Sequence, residues 1–143
     1  MTSVAFHFNA PSKLAYACRL LRKAISSGST VAVLADEAML AKLDEQLWSF
    51  SALDFVPHGR AKNLSELQKT QTPIWLCSRA AEGQGLQVLV NLSAESPADF
   101  DRFERVIEVV SQDEADRQSA RARWKYYSDR HMEIVRHDLN LAT

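Results

Sequence analysis

The sequence is poor in glycine and lacks the motifs that usually bind nucleotide phosphates. It has four glycines among 143 residues, and no G-x-x-x-x-G-K-[ST] motif occurs, which excludes Walker-type phosphate binding. The turn after the first predicted strand, residues 9–12, has no glycine that would let backbone N–H groups approach a phosphate. The lone G-x-G at Gly83 and Gly85 lies between two predicted strands and is interpreted as a hairpin turn. We therefore expect no nucleotide cofactor.

Residues that ligate metals or act as nucleophiles are few and scattered. Cys18 and Cys77 lie far apart in apolar runs and predict reduced thiols in the core of a cytosolic protein. The four histidines do not cluster, so no metal site is expected. No G-x-S-x-G elbow occurs. These absences predict a protein that has no metal, no cofactor and no catalytic site.

Charge and hydropathy narrow the class of protein further. The formal net charge is −1, whereas domains that bind nucleic acid through overall charge are normally strongly basic. No apolar run reaches the roughly 18 residues of a membrane span, and the N-terminus lacks a signal-peptide pattern. With 46% apolar residues, the chain is expected to fold as a single domain, 1–143, that is cytoplasmic and not bound to a membrane.

The apolar pattern predicts an α/β fold. The run at 31–35 is apolar at every position, as in a parallel strand buried between helices, and the opening strand, helix and strand favour a right-handed βαβ unit. We predict a three-layer fold with a mostly parallel sheet and Rossmann-like topology, without a nucleotide-binding glycine loop. The predicted strands are 4–8, 31–35, 74–77 and 86–92, with an extended edge piece at 55–57. Ser12, Asp36 and Asp113 are predicted to cap helices, and Ser96-Pro97 is predicted to begin another helix. The core face of that helix would consist of Phe100, Phe103, Val106, Ile107 and Val110. Residues 59–72 are predicted as loop with a turn of helix around residues 64–67, and residues 136–143 as a surface tail.

The helix after Asp113 carries a basic and aromatic stripe. Between Arg117 and Lys125 there are four basic residues and no acidic one, and the spacing places Arg117, Arg121, Trp124 and Lys125 on one side of the helix. An aromatic ring flanked by guanidinium groups can hold a planar apolar side chain together with a carboxylate. Two alternatives remain: a solvated basic face with the tryptophan anchored in the core, or a stacking platform for single-stranded nucleic acid.

A second candidate surface consists of Trp48 and Phe55, which bracket the end of a helix and the predicted edge piece. Both residues fit the core equally well. As surface residues they would suit a protein interface, where tryptophan is over-represented among the residues that dominate binding.

Four segments together resemble one known family. In order and spacing, the chain is similar to the chi subunit of bacterial DNA polymerase III, and the similarity covers nearly the whole sequence. The segments are LDEQLW at 43–48, FVPH at 55–58, ADF at 98–100 and RARWKYY at 121–127.

The resemblance implies a non-catalytic α/β accessory subunit of the clamp-loader complex. It implies that Trp48 and Phe55 bind the psi subunit, with a helicase-like protein competing at the same place. It also implies a pocket for the acidic, phenylalanine-ended tail of single-stranded DNA-binding protein, so that DNA is reached only indirectly. The residues implied for that pocket are Arg117, Arg121, Trp124 and Lys125, with Val110 at its edge.

Overall fold

The structure is a computed structural model that describes residues 2–49 and 56–139. These residues form a seven-stranded sheet in which the order is β3-β4-β2-β5-β6-β1-β7 and each neighbouring pair is parallel. The predicted α/β fold with a parallel sheet is therefore confirmed. The strands are β1 (Ser3–Ala10), β2 (Val31–Leu34), β3 (His58–Arg60), β4 (Ile74–Cys77), β5 (Val88–Asn91), β6 (Arg105–Ser111) and β7 (Ile134–Asp138).

Helices cover both faces of the sheet. The helices α1 (Lys13–Ser26) and α2 (Glu37–Ser49) bury their apolar sides in one core. The helix α4 (Glu114–Asp129) and the 3₁₀ turns Ala61–Asn63, Ala80–Gly83 and Phe100–Arg102 contribute to the core on the opposite face, and α3 (Glu66–Gln71) is a short surface helix. No helix in the described part of the chain is both long and apolar enough to cross a membrane.

The predicted helix caps are confirmed. The Ser12 Oγ accepts a hydrogen bond from the Ala15 N–H at 3.2 Å, and the Asp36 Oδ1 accepts one from the Met39 N–H at 2.8 Å. The Asp113 Oδ2 likewise accepts from a backbone N–H in the first turn of α4. Each cap satisfies a donor that the first turn of a helix leaves without an intrahelical partner.

Both cysteines are free and buried, as predicted. Cys18 belongs to the core under α1, and Cys77 belongs to the core on the opposite face. Burial raises the pKa of each thiol, that of Cys77 to about 12. Both side chains therefore act as small apolar core groups rather than as reactive thiolates.

The helix predicted after Ser96 is wrong, because residues 105–111 form strand β6. The expected helical face included Val106, Ile107 and Val110, but these side chains alternate between the two cores: Ile107 faces α1, whereas Val106 and Val110 face α4. The β-branched run fits a central strand that is buried on both faces. Phe100 and Phe103, assigned to the same helical face, come from the 3₁₀ turn before the strand and the residue that follows it.

The two ends of the sheet also differ from the prediction. The segment predicted as a surface tail begins inside β7, which pairs with β1, and residues 140–143 lie outside the described residues. At the other end the edge strand β3 starts at His58, after Pro57, because proline has no N–H for a strand ladder. The following segment, predicted as loop with a turn of helix around residues 64–67, contains the short helix α3 slightly later in the chain.

The G-x-G segment is not a hairpin. The strands β4 and β5 lie on either side of β2 and are parallel to it. Glycine is needed at 83 for packing, since a Cβ there would lie 2.3 Å from the Cβ of Ala32. As predicted, the chain opens with a strand, a helix and a parallel strand of the same sheet (β1, α1 and β2), although β5 and β6 lie between the two strands.

Candidate functional site

A buried polar cluster fixes α4 against the sheet. The Glu108 carboxylate on β6 accepts hydrogen bonds from the Arg123 Nε at 2.8 Å and from the Tyr127 hydroxyl at 2.6 Å. The Asn91 side-chain amide on β5 donates to both carboxylate oxygens. Because Arg123 and Tyr127 point into the protein, the side of α4 that carries Arg121 is left on the surface.

Beside α4, an open pocket of about 510 Å³ lies between the helix and strands β1, β6 and β7. Side-chain alternation brings Phe6 and Phe8 of β1 to this pocket and sends His7 to the opposite face. The helix contributes residues three or four apart, which share one side of α4. The lining consists of Phe6, Phe8, Asn9, Val110, Arg117, Ala120, Arg121, Trp124 and Arg136.

The walls of the pocket are apolar and its charged groups are all cationic. Phe6 and Trp124 contact each other with ring centroids 5.1 Å apart. The guanidinium carbon of Arg136 lies 5.0 Å from the Phe8 ring centroid and 5.8 Å from that of Trp124. Among residues 2–49 and 56–139, no carboxylate pairs with Arg117, Arg121 or Arg136. The arrangement suits a ligand that combines an apolar ring with negative charge.

The structure brings together four of the five residues proposed for the tail site: Val110, Arg117, Arg121 and Trp124. Lys125 does not line the pocket; its side chain is 76% exposed, and its Nζ lies 3.0 Å from the Asp129 Oδ2. Trp124 packs against the core and also lines the pocket. The prediction of a tryptophan anchored in the core is therefore compatible with the prediction of a tryptophan that lines a binding pocket.

Sequence reasoning missed Phe6, Phe8 and Arg136 as pocket residues. The period-two spacing of the two phenylalanines was the available signal, since it places both rings on one face of the first strand. Arg136 falls in the segment predicted as a surface tail, but the β-branched pair Ile134-Val135 before it is typical of a strand.

The second candidate surface lies at the end of α2. Trp48 is 62% exposed, so it is not a core residue, and Phe55 lies outside the described residues. The Trp48 ring contacts that of His58, with centroids 5.4 Å apart. The His58 Nε2 lies 2.8 Å from the Asp44 Oδ1 and its Nδ1 lies 2.7 Å from the Val56 carbonyl oxygen, which fixes the imidazole beside the tryptophan.

The two surfaces lie at opposite ends of the sheet. The pocket is next to β7, whereas Trp48 contacts His58 of β3. With neighbouring strands about 4.8 Å apart, the width of the sheet separates the two surfaces by roughly 25–30 Å. Two protein partners could therefore be bound at the same time. Within the described residues, no group of three or more histidine, cysteine or acidic side chains could hold a metal ion.

The model of the family described as "DNA polymerase III chi subunit, HolC" matches residues 1–135. The chain belongs to the chi family. It is 33% identical to the DNA polymerase III subunit chi of Pseudomonas aeruginosa over 144 aligned residues, which cover 97% of this chain and 98% of that protein. It is 36% identical to the subunit of the same name from Haemophilus influenzae, over 76% of this chain and 75% of that protein. Chi-family membership makes this chain a DNA replication accessory subunit.

Proposed function

We propose that this chi-family chain is a non-catalytic adaptor of DNA replication. It links the psi subunit of the clamp loader, bound at Trp48 and Phe55, to the C-terminal tail of single-stranded DNA-binding protein. The observation that carries the proposal is the pocket beside α4, in which three guanidinium groups without carboxylate partners in the described residues surround an apolar wall. The chain works in the cytoplasm, without a cofactor, and reaches DNA only through its partners.

The pocket matches the chemistry of an acidic tail that ends in phenylalanine. The terminal ring packs beside Val110 and Trp124, and the terminal carboxylate accepts hydrogen bonds from Arg121. Arg117 and Arg136 neutralise the aspartates that precede the ring, and Lys125 adds positive charge outside the pocket. A short peptide buries little surface, so the dissociation constant is expected to be about micromolar.

The exposed Trp48 ring supplies the anchor for psi. A large exposed aromatic at the end of a helix is typical of a residue that dominates a protein interface. Its location at the β3 end of the sheet leaves the pocket accessible while psi is bound. A helicase-like protein that used Trp48 would compete with psi and leave the tail site unaffected.

The experiment is a calorimetric titration of the chain with a short acidic peptide ending in Pro-Phe. The matched control is the same peptide without its final phenylalanine. We expect roughly micromolar binding that is lost with that residue and weakened by added salt. Equal binding of both peptides would show that the pocket does not recognise the ring. Binding of a single-stranded oligonucleotide, with neither peptide bound, would replace the proposal with direct nucleic-acid binding through α4.

A further inference from the structure

A second groove lies on the opposite face of the sheet, beside α1. It has a volume of about 430 Å³ and is lined by α1, by the start of β2 and by strands β5, β6, β1 and β7. Alternation along the strands separates it from the first pocket: His7 and His137 face the groove, whereas their neighbours Phe6, Phe8 and Arg136 face the pocket. The groove is therefore a distinct site.

The groove combines an apolar wall with two positive charges. Leu20, Val88 and Ile107 provide the wall, and Lys23 and Arg105 provide the charges. Among residues 2–49 and 56–139, neither cation pairs with a carboxylate. An apolar cleft with a few polar groups that converge on it is the usual form of a small-molecule site.

Two histidines, His7 and His137, also line the groove. Burial, together with the charges of His137, Arg105 and Lys23, lowers the pKa of His7 to about 4. His7 is therefore neutral at physiological pH, and its Nδ1 forms a hydrogen bond with the Tyr16 hydroxyl. The lining includes the Asp138 carboxylate, which accepts a hydrogen bond from the Asn9 side-chain amide at 2.9 Å.

We propose that this groove binds an organic phosphate monoester with an apolar or aromatic body. A phosphate group carries a charge of about −1.5 to −2 near neutral pH and offers three acceptor oxygens. It can therefore accept hydrogen bonds from the Lys23 ammonium and the Arg105 guanidinium together. Its apolar body packs on Leu20, Val88 and Ile107. The inference rests on this groove alone and is independent of the tail-binding function.

The experiment titrates the ¹⁵N-labelled chain with phenyl phosphate and follows backbone amide shifts. It uses the Arg117→Gln/Arg121→Gln variant, which removes two of the three cations of the other pocket and so weakens competition from that pocket. We expect saturable shifts of the Lys23, Ala24 and Val88 amides below about 10 mM phenyl phosphate. When Lys23→Gln and Arg105→Gln are added to the same variant, the affinity for phenyl phosphate should fall about tenfold or more. The matched control, Lys42→Gln, changes an exposed lysine of α2 that does not line the groove and should leave binding unchanged.

Two further ligands separate the contributions of the phosphate and the ring. Inorganic phosphate lacks the apolar body and benzyl alcohol lacks the charge, so both should bind more weakly than phenyl phosphate. Benzoate, a third comparison with a ring and one negative charge, should bind with an affinity between those of benzyl alcohol and phenyl phosphate. The proposal is overturned if phenyl phosphate gives no saturable shifts, if its binding survives loss of Lys23 and Arg105, or if benzyl alcohol binds equally well. Unchanged spectra of the unliganded variants would establish that they remain folded.

Discussion

The Glu108 carboxylate and the Arg123 guanidinium form an ion pair that is fully withdrawn from solvent. The Nε–Oε1 distance is 2.8 Å, and both side chains are 0% exposed. Burial raises the pKa of Glu108, while Arg123, the Tyr127 hydroxyl and the Asn91 amide favour its charged form and act in the opposite direction. The pair joins α4 to β6, so it orients the helix that carries the candidate tail site.

Replacing Glu108 with glutamine should therefore destabilise the protein strongly. The Glu108→Gln change leaves the Arg123 charge buried without compensation, and we expect the free energy of unfolding to fall by about 3–5 kcal/mol in urea denaturation. The control is Asp129→Asn, which breaks the exposed pair with Lys125 and should cost less than about 1 kcal/mol. Similar losses in both variants would mean that the buried pair has no special role in holding α4.

The close contact of Gly83 with Ala32 gives a second stability test. A Cβ at 83 would lie 2.3 Å from the Ala32 Cβ, so Gly83→Ala should lower the free energy of unfolding by about 1–3 kcal/mol through overpacking. Adding Ala32→Gly removes the clashing atom. The double variant should therefore be more stable than the sum of the two single changes predicts. Strict additivity in urea denaturation would contradict the packing explanation.

Stability should depend on pH through His7. The native pKa of His7 is lowered from 6.5 to about 4, so between these values the unfolded chain binds a proton that the folded chain does not. Stability is therefore lost as pH falls through this window, and His7 should account for about 2 kcal/mol between pH 7 and pH 5. The measurement is urea unfolding at both pH values for the native chain and for His7→Gln. An equal pH dependence in the two proteins would exclude His7 as the cause.

Trp48→Ala should abolish psi binding and leave the fold intact. The side chain is 62% exposed, whereas its neighbour Leu47 is buried in the core under α2. We expect Trp48→Ala to change the free energy of unfolding by less than about 1 kcal/mol, and Leu47→Ala to lower it by about 2–5 kcal/mol. A psi pull-down combined with urea unfolding separates the two effects. Normal psi capture by a folded Trp48→Ala protein would remove Trp48 from the proposed interface.

The fold class, most helices and their caps could be predicted because they depend on local patterns. Ser12, Asp36 and Asp113 cap helices through contacts within three residues. The errors arose where tertiary contacts decide the structure. Residues 105–111 have apolar positions that also fit a helix, and burial on both faces makes them a strand. Likewise, β3 and β7 are short edge strands whose pairing with β4 and β1 joins distant parts of the chain.

The candidate site was predictable where it lies on one helix. Arg117, Arg121 and Trp124 share the pocket because residues three, four and seven apart occupy one side of α4. Lys125 is eight residues after Arg117, and in the structure it points away from the pocket and towards Asp129. Arg136 could not be assigned from its own segment, because its position beside Phe8 and Trp124 depends on the pairing of β7 with β1.

The contrast between Arg121 and Lys125 tests the adaptor function most directly. Both are exposed cations of α4, but Arg121 lines the pocket, whereas Lys125 does not. In calorimetric titrations with the acidic peptide ending in phenylalanine, Arg121→Ala should weaken binding by about tenfold or more, and Lys125→Ala by less than about threefold. Equal losses would show that the peptide responds to the overall charge of α4. No binding by the native chain would refute tail recognition in this pocket.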